Sequence, residues 1–225
     1  VFILILIFFA ALVTFILIAK NIFIGNTYAF DTKAFAFADA HISPLNTVIM
    51  QFFSLLGSHT FLIPANLLLI VWFFFIQKKR WLSIKIPAVA LSSLLLMFLL
   101  KLFFERPRPS NPLLMQAAGF SFPSGHSLMS ITFYGLLFYI IFQNVKNILW
   151  RLSLAVLLIF MVLMIGFSRI YLRVHYASDV IAGFCVGIIW LIVSFWILSA
   201  IENSRTGRRS NFPGPHNKEA NKSFY

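Results

Sequence analysis

Three short polar segments, separated by long apolar runs, hold the residues whose types and spacing could perform chemistry. They are KLFFERPRP at 101–109, FPSGHS at 122–127 and SRIYLRVHYASD at 168–179. Their lysine and arginine side chains can bind phosphate oxygens, and arginine offers a planar fork for this purpose. Their histidines can act as nucleophile or as general acid. The combination favours a site for a phosphate-bearing ligand.

The cationic part of this candidate site comes from Lys101, Arg108 and Arg169. Ser124 and Gly125 precede a predicted helix, so their backbone N–H groups and the Ser124 hydroxyl would lie at its positive end. Helix N-termini are favourable anion sites. Gly125 has no side chain and also lets the backbone approach a ligand closely.

The two histidines of these segments, His126 and His175, are the predicted reactive groups. Asp179 follows His175 by four residues, so the two side chains would share one face of a helix. A carboxylate there would hold one imidazole nitrogen and leave the other free to attack. The competing interpretation is a pair of buried structural histidines. It is disfavoured because ionisable residues inside a membrane are costly, and here they occur beside arginines and a matching acid.

The elements that position these residues are predicted to be membrane-spanning helices. The chain has 225 residues, of which 60% are hydrophobic and 11% charged, and its mean hydropathy is +0.92. Soluble domains are roughly half apolar and a quarter charged, and a span needs about 20 mostly apolar residues. The sequence therefore predicts an all-α polytopic membrane protein. Its six predicted transmembrane helices are residues 1–19, 60–77, 82–104, 124–142, 150–167 and 177–200.

The remaining segments are predicted to connect the spans or to follow them. Residues 1–200 would form one domain, and 201–225 a basic, disordered cytoplasmic tail. Gly183 and Gly187, four residues apart in the sixth span, indicate close helix packing. The connections are an exposed segment with a short surface helix at 20–43, a short amphipathic piece at 44–57, and a polar, proline-rich loop at 105–123.

The placement of lysine and arginine predicts the orientation of the spans, because cytoplasmic loops carry an excess of these residues. Eleven of the 18 basic residues lie at 78–85, at 146–151 and in the tail. That side is therefore predicted to be cytoplasmic, with both termini on it. The three polar segments then share the extracytoplasmic side. No nucleic-acid partner is predicted, since no soluble basic domain is visible.

The three polar segments together resemble the signature of the phosphatidic acid phosphatase type 2 superfamily. The family pattern is Lys, six residues and Arg-Pro; then Pro-Ser-Gly-His; then Ser-Arg, five residues, His, three residues and Asp. Every position of the pattern is matched. The six predicted spans also resemble the family layout, a helical bundle shared with vanadium haloperoxidases. The matching residues are Lys101, Arg108–Pro109, Pro123–His126, Ser168–Arg169, His175 and Asp179.

The resemblance implies a role for each matched residue. His175 would attack phosphorus and form a phosphohistidine, Asp179 would orient His175, and His126 would protonate the leaving oxygen. Water would then hydrolyse the intermediate. No metal ion or other cofactor is implied. The residues implied to hold the phosphoryl oxygens are Lys101, Arg108, Ser124, Gly125 and Arg169.

The predicted substrate is a lipid phosphate, because the polar segments lie at the surface of an apolar bundle. Among lipids the resemblance favours undecaprenyl pyrophosphate, with phosphatidylglycerophosphate or phosphatidic acid close behind, and lipid A dephosphorylation is the alternative within the enzyme class. A lipid carrier or flippase would bind phosphate with the same cations without turnover. A vanadate-dependent peroxidase is disfavoured by the six spans. The implied location is a bacterial cytoplasmic membrane, with membrane lipids as partners.

Several polar residues near the motifs are predicted to lie outside the site. Arg106 also precedes a proline, but the six-residue spacing selects Arg108, and Arg106 is expected to form a local surface pair with Glu105. Arg173 is expected to be a solvated interfacial arginine, or to touch a second phosphate or the headgroup. The histidines left outside the site are His41, His59 and His216, with one of the first two as a candidate for the substrate entrance.

Overall fold

The regular structure of this chain is helical throughout the part that the structure describes. The structure is a computed structural model that describes residues 2–25, 28–113 and 118–206. No strand occurs among these residues, and the predicted all-α class is confirmed. The helices are α1 (Phe2–Phe23), α2 (Ala29–Asp39), α3 (Pro44–Leu56), α4 (His59–Val71), α5 (Arg80–Phe104), α6 (Gly125–Asn144), α7 (Ile148–Tyr171) and α8 (Ala177–Thr206), with a π-helical segment Trp72–Ile76 after α4.

Six of these helices are long and apolar enough to cross a membrane, and they correspond to the six predicted spans. They are α1, α4 with its π-helical continuation, α5, α6, α7 and α8. The chain is accordingly an integral membrane protein. The last two helices are longer than predicted. α7 continues beyond 167 to Tyr171, with Ser168 and Arg169 buried, and α8 continues beyond 200 to Thr206. The remainder of the predicted tail, with His216, lies outside the described residues.

α6 has packing partners on several sides, since it contacts α5, α7 and α8. α1 packs on α8, α4 packs on α5, and the two short helices α2 and α3 lie against α7. Large apolar side chains are exposed along the outer faces of the spans, as expected for helices that contact lipid. The interior is also apolar, with Leu56, Phe133, Val162 and Ile165 in one buried cluster.

The short helix α3 is fixed to the end of α7 by hydrogen bonds. Ser43 caps α3 by accepting from the Asn46 N–H at 3.2 Å, which satisfies one of the unpaired donors of a helix start. The Tyr171 hydroxyl accepts from the Ser43 N–H at 3.2 Å and lies 3.1 Å from Oγ1 of Thr47. α3 is therefore held at the end of α7 where the third polar segment begins.

Gly183 and Gly187 bring α8 close to α6, which confirms the packing predicted from their spacing. A Cβ atom at Gly183 would lie 2.6 Å from the backbone oxygen of Ser124, and one at Gly187 would lie 2.7 Å from Cβ of Ile131. Both distances are shorter than a van der Waals contact. The Ser124 N–H also donates to the Asp179 carbonyl at 3.0 Å. The close approach thus places the start of α6 beside the start of α8.

Replacement of Gly183 by alanine is expected to destabilise the bundle, because the new methyl group meets backbone rather than a movable side chain. Overpacking costs about 1–3 kcal/mol, and each kcal/mol lowers Tm by roughly 2–4 °C at this size. Thermal unfolding of the purified protein in detergent measures the shift. Ala200→Val adds bulk at an exposed position of the same helix and should leave Tm unchanged. Equal Tm values for wild type and Gly183→Ala would show that α6 and α8 do not pack this closely.

Candidate active site

The three polar segments meet at one end of the bundle. The loop between α5 and α6 lies over the turn between α7 and α8, where the Leu113 N–H donates to the Leu172 carbonyl at 3.1 Å. Within the loop, the Ser121 N–H donates to the Arg106 carbonyl at 2.8 Å. The end of α5, the start of α6 and the α7–α8 turn therefore contribute side chains to one region.

His175 lies in the turn between α7 and α8 and is 2% exposed. Its backbone N–H donates to the Arg169 carbonyl at 3.2 Å. Its Nε2 atom is 3.2 Å from Nη1 of Arg108. Its Nδ1 atom is 3.3 Å from Oγ of Ser121 and 3.5 Å from Oδ2 of Asp179. Because a guanidinium group only donates, this arrangement assigns the lone pair to Nε2 and the proton to Nδ1.

Ser121 stands between the imidazole of His175 and the carboxylate of Asp179. Its hydroxyl donates to Asp179 Oδ2 at 2.5 Å, so its oxygen can accept from Nδ1 of His175. The direct distance from Nδ1 to Oδ2 is 3.5 Å, which is long for a hydrogen bond. Ser121 therefore orients the imidazole. Ser121 is not part of the sequence motifs. The one feature of the sequence that could have indicated its role is its position in the loop just before Pro-Ser-Gly-His.

Asp179 is fully buried in the first turn of α8. Its Oδ1 accepts from Nη1 of Arg106 at 2.5 Å, and its Oδ2 accepts from the Tyr176 N–H at 3.0 Å. This last bond is that of a capping box, in which the third helical residue reaches back to the N-cap N–H. His175 precedes α8, so the expectation that both residues lie on one helix face is wrong. They are neighbours because the capped turn folds His175 back over Asp179.

Arg108 lies beside the Nε2 atom of His175. Its guanidinium donates to the carbonyls of Ala118, Gly119 and Val174 at 2.8–3.1 Å. These acceptors are neutral, so within the described residues no carboxylate contacts the charge. Burial lowers the pKa of Arg108 below its usual range, although the group remains a cation. An anion is the partner that this environment lacks.

Lys101 and Arg169 supply two further cations. Nζ of Lys101 donates to the Phe120 carbonyl at 2.5 Å. Arg169 is 9% exposed and donates from Nη1 to the Ser54 hydroxyl. Its Nε atom has no hydrogen-bond partner among the described residues. Since a buried donor without an acceptor is costly, an anion in the site would stabilise this side chain.

Ser124 and Gly125 form the start of α6, as predicted, but several of their contacts are structural. Ser124 is fully buried, its N–H donates to the Asp179 carbonyl, and its Oγ accepts from the Ser127 N–H and hydroxyl. The expectation that the Ser124 N–H binds phosphate is therefore wrong, while its hydroxyl proton can still be donated. The Gly125 N–H has no acceptor within the helix. A Cβ atom at Gly125 would lie 2.5 Å from Sδ of Met97.

His126 is the second residue of α6 and is partly exposed. It interacts electrostatically with Arg169, His175 and Arg108, so its imidazole belongs to the same site. A Cβ atom at Gly57, which follows α3, would lie 3.4 Å from Cδ2 of His126, so the end of α3 is within contact distance of this imidazole. His126 therefore lies among the charged side chains that surround His175.

Arg106 is a buried member of the site, and the expected surface pair with Glu105 is wrong. Its side chain is 4% exposed and forms ion pairs with Asp31 at 2.9 Å and with Asp179 at 2.5 Å. Residues before proline favour extended backbone, and alternate side chains of an extended segment point the same way. Arg106 and Arg108 therefore both face the third polar segment. The motif spacing identifies only one of them.

Three other polar residues lie beside the site. Arg173 pairs with the Asp39 carboxylate, with both side chains partly exposed. Nδ1 of His41 is 2.8 Å from the Phe37 carbonyl, a local contact within and just after α2. His59 is exposed at the start of α4. None of these contacts involves His175.

Burial of His175 favours its neutral form. Burial lowers the pKa of His175 to about 4, an effect that Asp179 opposes and that Arg108 and Arg169 strengthen. The imidazole is therefore uncharged at neutral pH, as a nucleophile must be. Among the residues that the structure describes, no three His, Cys, Asp or Glu side chains form a metal-ligand cluster.

The fold and the site together define a polytopic membrane protein with a buried histidine–aspartate pair among cations. The family model of the PAP2 superfamily matches residues 82–202. The chain belongs to this superfamily. The matched range includes the sequence motifs and excludes α1 to α4.

Two relatives named as phosphatases cover most of the chain. Phosphatidylglycerophosphatase B of Bacillus subtilis (strain 168) is 29% identical over 170 residues, which make up 72% of this chain and 83% of that protein. Undecaprenyl-diphosphatase BcrC of the same strain is 28% identical over 153 residues, 66% of this chain and 74% of that protein. Together with the family match, these relatives identify the chain as a lipid phosphatase.

Two solved structures are also similar. The crystal structure of the transmembrane PAP2 type phosphatidylglycerolphosphate phosphatase from Bacillus subtilis has a TM-score of 0.77 and 25% identity, and the match covers 86% of this chain and 96% of that one. The crystal structure of Aquifex aeolicus LpxE has a TM-score of 0.57 and 28% identity, over 73% of this chain and 94% of that one. The helical bundle is therefore the PAP2 fold.

Ser121→Ala removes the hydroxyl between His175 and Asp179. Leaving a buried group unpaired costs about 1–3 kcal/mol, so we expect kcat for phosphate release from a lipid to fall roughly 5–150-fold. KM should change little, because Ser121 lies on the Nδ1 side of the ring. Ser130→Ala is the matched control, since in the described part of the chain that buried hydroxyl bonds only the Ser127 carbonyl of its own helix, at 2.9 Å. An unchanged kcat in Ser121→Ala would remove Ser121 from the site.

Proposed function

We propose that this protein hydrolyses the phosphate monoester or pyrophosphate of a membrane lipid at the extracytoplasmic face, through a phosphohistidine on Nε2 of His175. The observation that carries the proposal is the setting of this imidazole. Nδ1 faces Ser121 and Asp179, and Nε2 faces the Arg108 guanidinium at 3.2 Å. The lone pair of a neutral imidazole is thus directed to the place where a phosphoryl group would meet Arg108.

In the first step, Nε2 of His175 bonds to phosphorus while the bond from phosphorus to the leaving oxygen breaks. His126 gives its proton to that oxygen, so the lipid leaves as an alcohol, or as a lipid monophosphate if the substrate is a pyrophosphate. The imidazole keeps its Nδ1 proton and becomes positively charged, and Asp179 offsets this charge. Cationic groups stabilise the phosphoryl oxygens as charge shifts among them. They are Lys101, Arg108 and Arg169.

In the second step, His126 is neutral and accepts a proton from water. The water oxygen bonds to phosphorus as the bond between phosphorus and Nε2 of His175 breaks. Inorganic phosphate leaves, and both histidines return to their starting protonation states. Each step relies on a positioned general acid or base, which is worth about 10²–10⁴-fold in rate. The two steps use no metal ion.

The substrate proposed is an amphiphilic lipid, because the site lies where apolar spans end. Two relatives are named for phosphatidylglycerophosphate and for undecaprenyl diphosphate. The resemblance of the sequence motifs to the superfamily favours the second lipid. The relative named for the first covers more of this chain, and the structure named for it has the higher TM-score. We therefore place phosphatidylglycerophosphate first and undecaprenyl pyrophosphate second.

The extracytoplasmic face is proposed because basic residues concentrate at the other end of the bundle. There, Lys79 donates to Asn144 at 2.7 Å, and Lys85 pairs with Glu202 at 2.9 Å. These residues lie near the α4–α5 and α6–α7 connections, whereas the site lies at the α5–α6 and α7–α8 connections. The two sets of connections are at opposite ends because consecutive spans are antiparallel.

A lipid panel tests the substrate. Purified protein in nanodiscs is expected to release phosphate from phosphatidylglycerophosphate with a kcat/KM about tenfold or more above that for lipid A, a difference of about 1.4 kcal/mol in transition-state binding. Undecaprenyl pyrophosphate and phosphatidic acid should lie between them. Glycerol 3-phosphate, which has no apolar chain, should be the poorest. Equal rates on the lipids and on glycerol 3-phosphate would contradict a lipid substrate, and lipid binding without phosphate release would indicate a carrier or flippase.

The phosphohistidine is tested with an activated substrate, an amphiphilic 4-alkyl-2-nitrophenyl phosphate, whose leaving group needs no proton. His126→Ala should then complete the first step but not the second. We expect a burst of about one nitrophenolate per protein and a trapped acid-labile phosphoenzyme. His175→Ala should give neither. Stopped-flow absorbance and labelled phosphate measure the two quantities.

His41→Ala is the control for these variants, since its imidazole contacts the Phe37 carbonyl and not the site. It should turn over like wild type. A burst or a phosphoenzyme in His175→Ala would show that another residue is the nucleophile. Steady turnover without a burst in His126→Ala would remove His126 from the second step.

A further inference from the structure

The helix α2 brings a buried carboxylate to the back of the site from outside the residues that the family model matches. Asp31 is 3% exposed. Its Oδ2 accepts from Nη2 of Arg106 at 2.9 Å and from the Ser178 hydroxyl at 2.7 Å, and its Oδ1 accepts from the Ser178 N–H at 2.8 Å. Three donors therefore stabilise a negative charge that burial alone would make costly.

Arg106 joins Asp31 to Asp179. Its Nη1 atom contacts Oδ1 of Asp179 at 2.5 Å, while its Nη2 atom contacts Asp31. The Tyr176 ring covers the guanidinium, with its centroid 4.0 Å from Cζ. Stacking of this kind fixes the plane of the guanidinium and leaves its edge for the two carboxylates. One buried cation is thus shared by two buried anions.

The net charge of this group determines what Asp179 can do for His175. Arg106 carries one positive charge, and Asp31 and Asp179 carry one negative charge each. Without Asp31, the Arg106 guanidinium would pair with Asp179 alone and would neutralise the negative charge of that carboxylate. With Asp31 on one side of Arg106, negative charge remains on Asp179, whose Oδ2 is 3.5 Å from Nδ1 of His175. The effect is strong because the group is buried, where charges are poorly screened.

We propose that Asp31 is a positioning residue for the reaction, acting through Arg106 to keep the charge and orientation of Asp179 available to His175. This inference rests on the proposed function, in which Asp179 offsets the positive charge of the phosphohistidine. The same helix provides a natural control. Asp39, at the end of α2, pairs with Arg173, and their side chains are 37% and 29% exposed. Exposed pairs contribute little, so loss of the Asp39 charge should leave the reaction unchanged.

The pH dependence of kcat/KM reports the charge near His175, because this residue must be neutral to attack. The charged and titratable groups that face it are Asp179 from α8, Arg169 from α7, Arg108 from the α5–α6 loop and His126 from α6. The pKa of His175 is lowered to about 4 by burial, and Asp179 opposes this effect. In wild type, kcat/KM should therefore fall as the pH decreases through this value.

Asp31→Asn keeps the size of the side chain and an oxygen for the Ser178 N–H, but removes the charge. We expect kcat to fall about 10–100-fold with KM within about twofold, because the lost interaction belongs to the transition state. The acid limb, the part of the pH profile in which kcat/KM falls with decreasing pH, should move to lower pH. The reason is that Arg106 then cancels more of the charge on Asp179, so the protonated imidazole of His175 is less stable.

The double variant Asp31→Asn/Arg106→Gln removes one negative and one positive charge and leaves Asp179 unshared. Its acid limb should move above that of wild type, and its kcat should recover relative to Asp31→Asn. A merely structural role predicts the reverse, because the double variant loses more contacts than the single one. Asp39→Asn should match wild type in kcat, KM and acid limb.

Phosphate release from phosphatidylglycerophosphate in nanodiscs, measured from about pH 3.5 to about pH 8, compares the four proteins. If Asp31→Asn matches wild type in kcat and acid limb, the inference is wrong. Size-exclusion chromatography shows whether Asp31→Asn folds. If it does not, the double variant is the test. An acid limb of the double variant equal to that of wild type would then contradict the inference. Absence of a phosphohistidine in wild type would instead overturn the proposed function.

Discussion

The arrangement of the site depends on the hydrogen bonds that Asp179 accepts. It is fully buried and accepts hydrogen bonds from Arg106, from the Ser121 hydroxyl and from the Tyr176 N–H, while its backbone carbonyl accepts from the Ser124 N–H. These partners belong to the α5–α6 loop, to the start of α6 and to the α7–α8 turn. Removing one partner of a buried ion pair costs about 3–5 kcal/mol, so the three segments are held together strongly.

The cations of the site divide into two kinds according to their partners. Arg106 contacts two carboxylates, so its charge is balanced within the protein. Lys101 and Arg108 contact carbonyl oxygens, and Arg169 contacts the Ser54 hydroxyl. Charges at the ends of membrane spans are costly, and neutral acceptors only partly offset that cost. In the proposed function, a phosphoryl group beside His175 supplies the missing negative charge for these three cations.

The spans and the three polar segments could be predicted from the sequence because hydrophobic length and motif spacing are local signals. The roles of Asp31 and Ser121 could not be predicted in this way, because their partners are distant in sequence. Arg106 lies 75 residues from Asp31, and Asp179 lies 58 residues from Ser121. The motif spacing does not show that both arginines of the RPRP sequence face the site. The extended backbone of this segment directs both side chains to the same side. The pairing of His175 with Asp179 was predicted, but for the wrong reason, since a capped turn and not a continuous helix brings them together.

The central claim is that Nε2 of His175 and the neighbouring cations together hold one phosphoryl group. A crystal structure of the protein with orthovanadate, which adopts the five-coordinate geometry of phosphoryl transfer, tests it most directly. We expect vanadium bonded to Nε2 of His175, with Arg108 moved from Nε2 to one vanadate oxygen and Nε of Arg169 donating to another. Vanadate bound away from His175, or Arg108 still in contact with Nε2 at saturating vanadate, would contradict the claim.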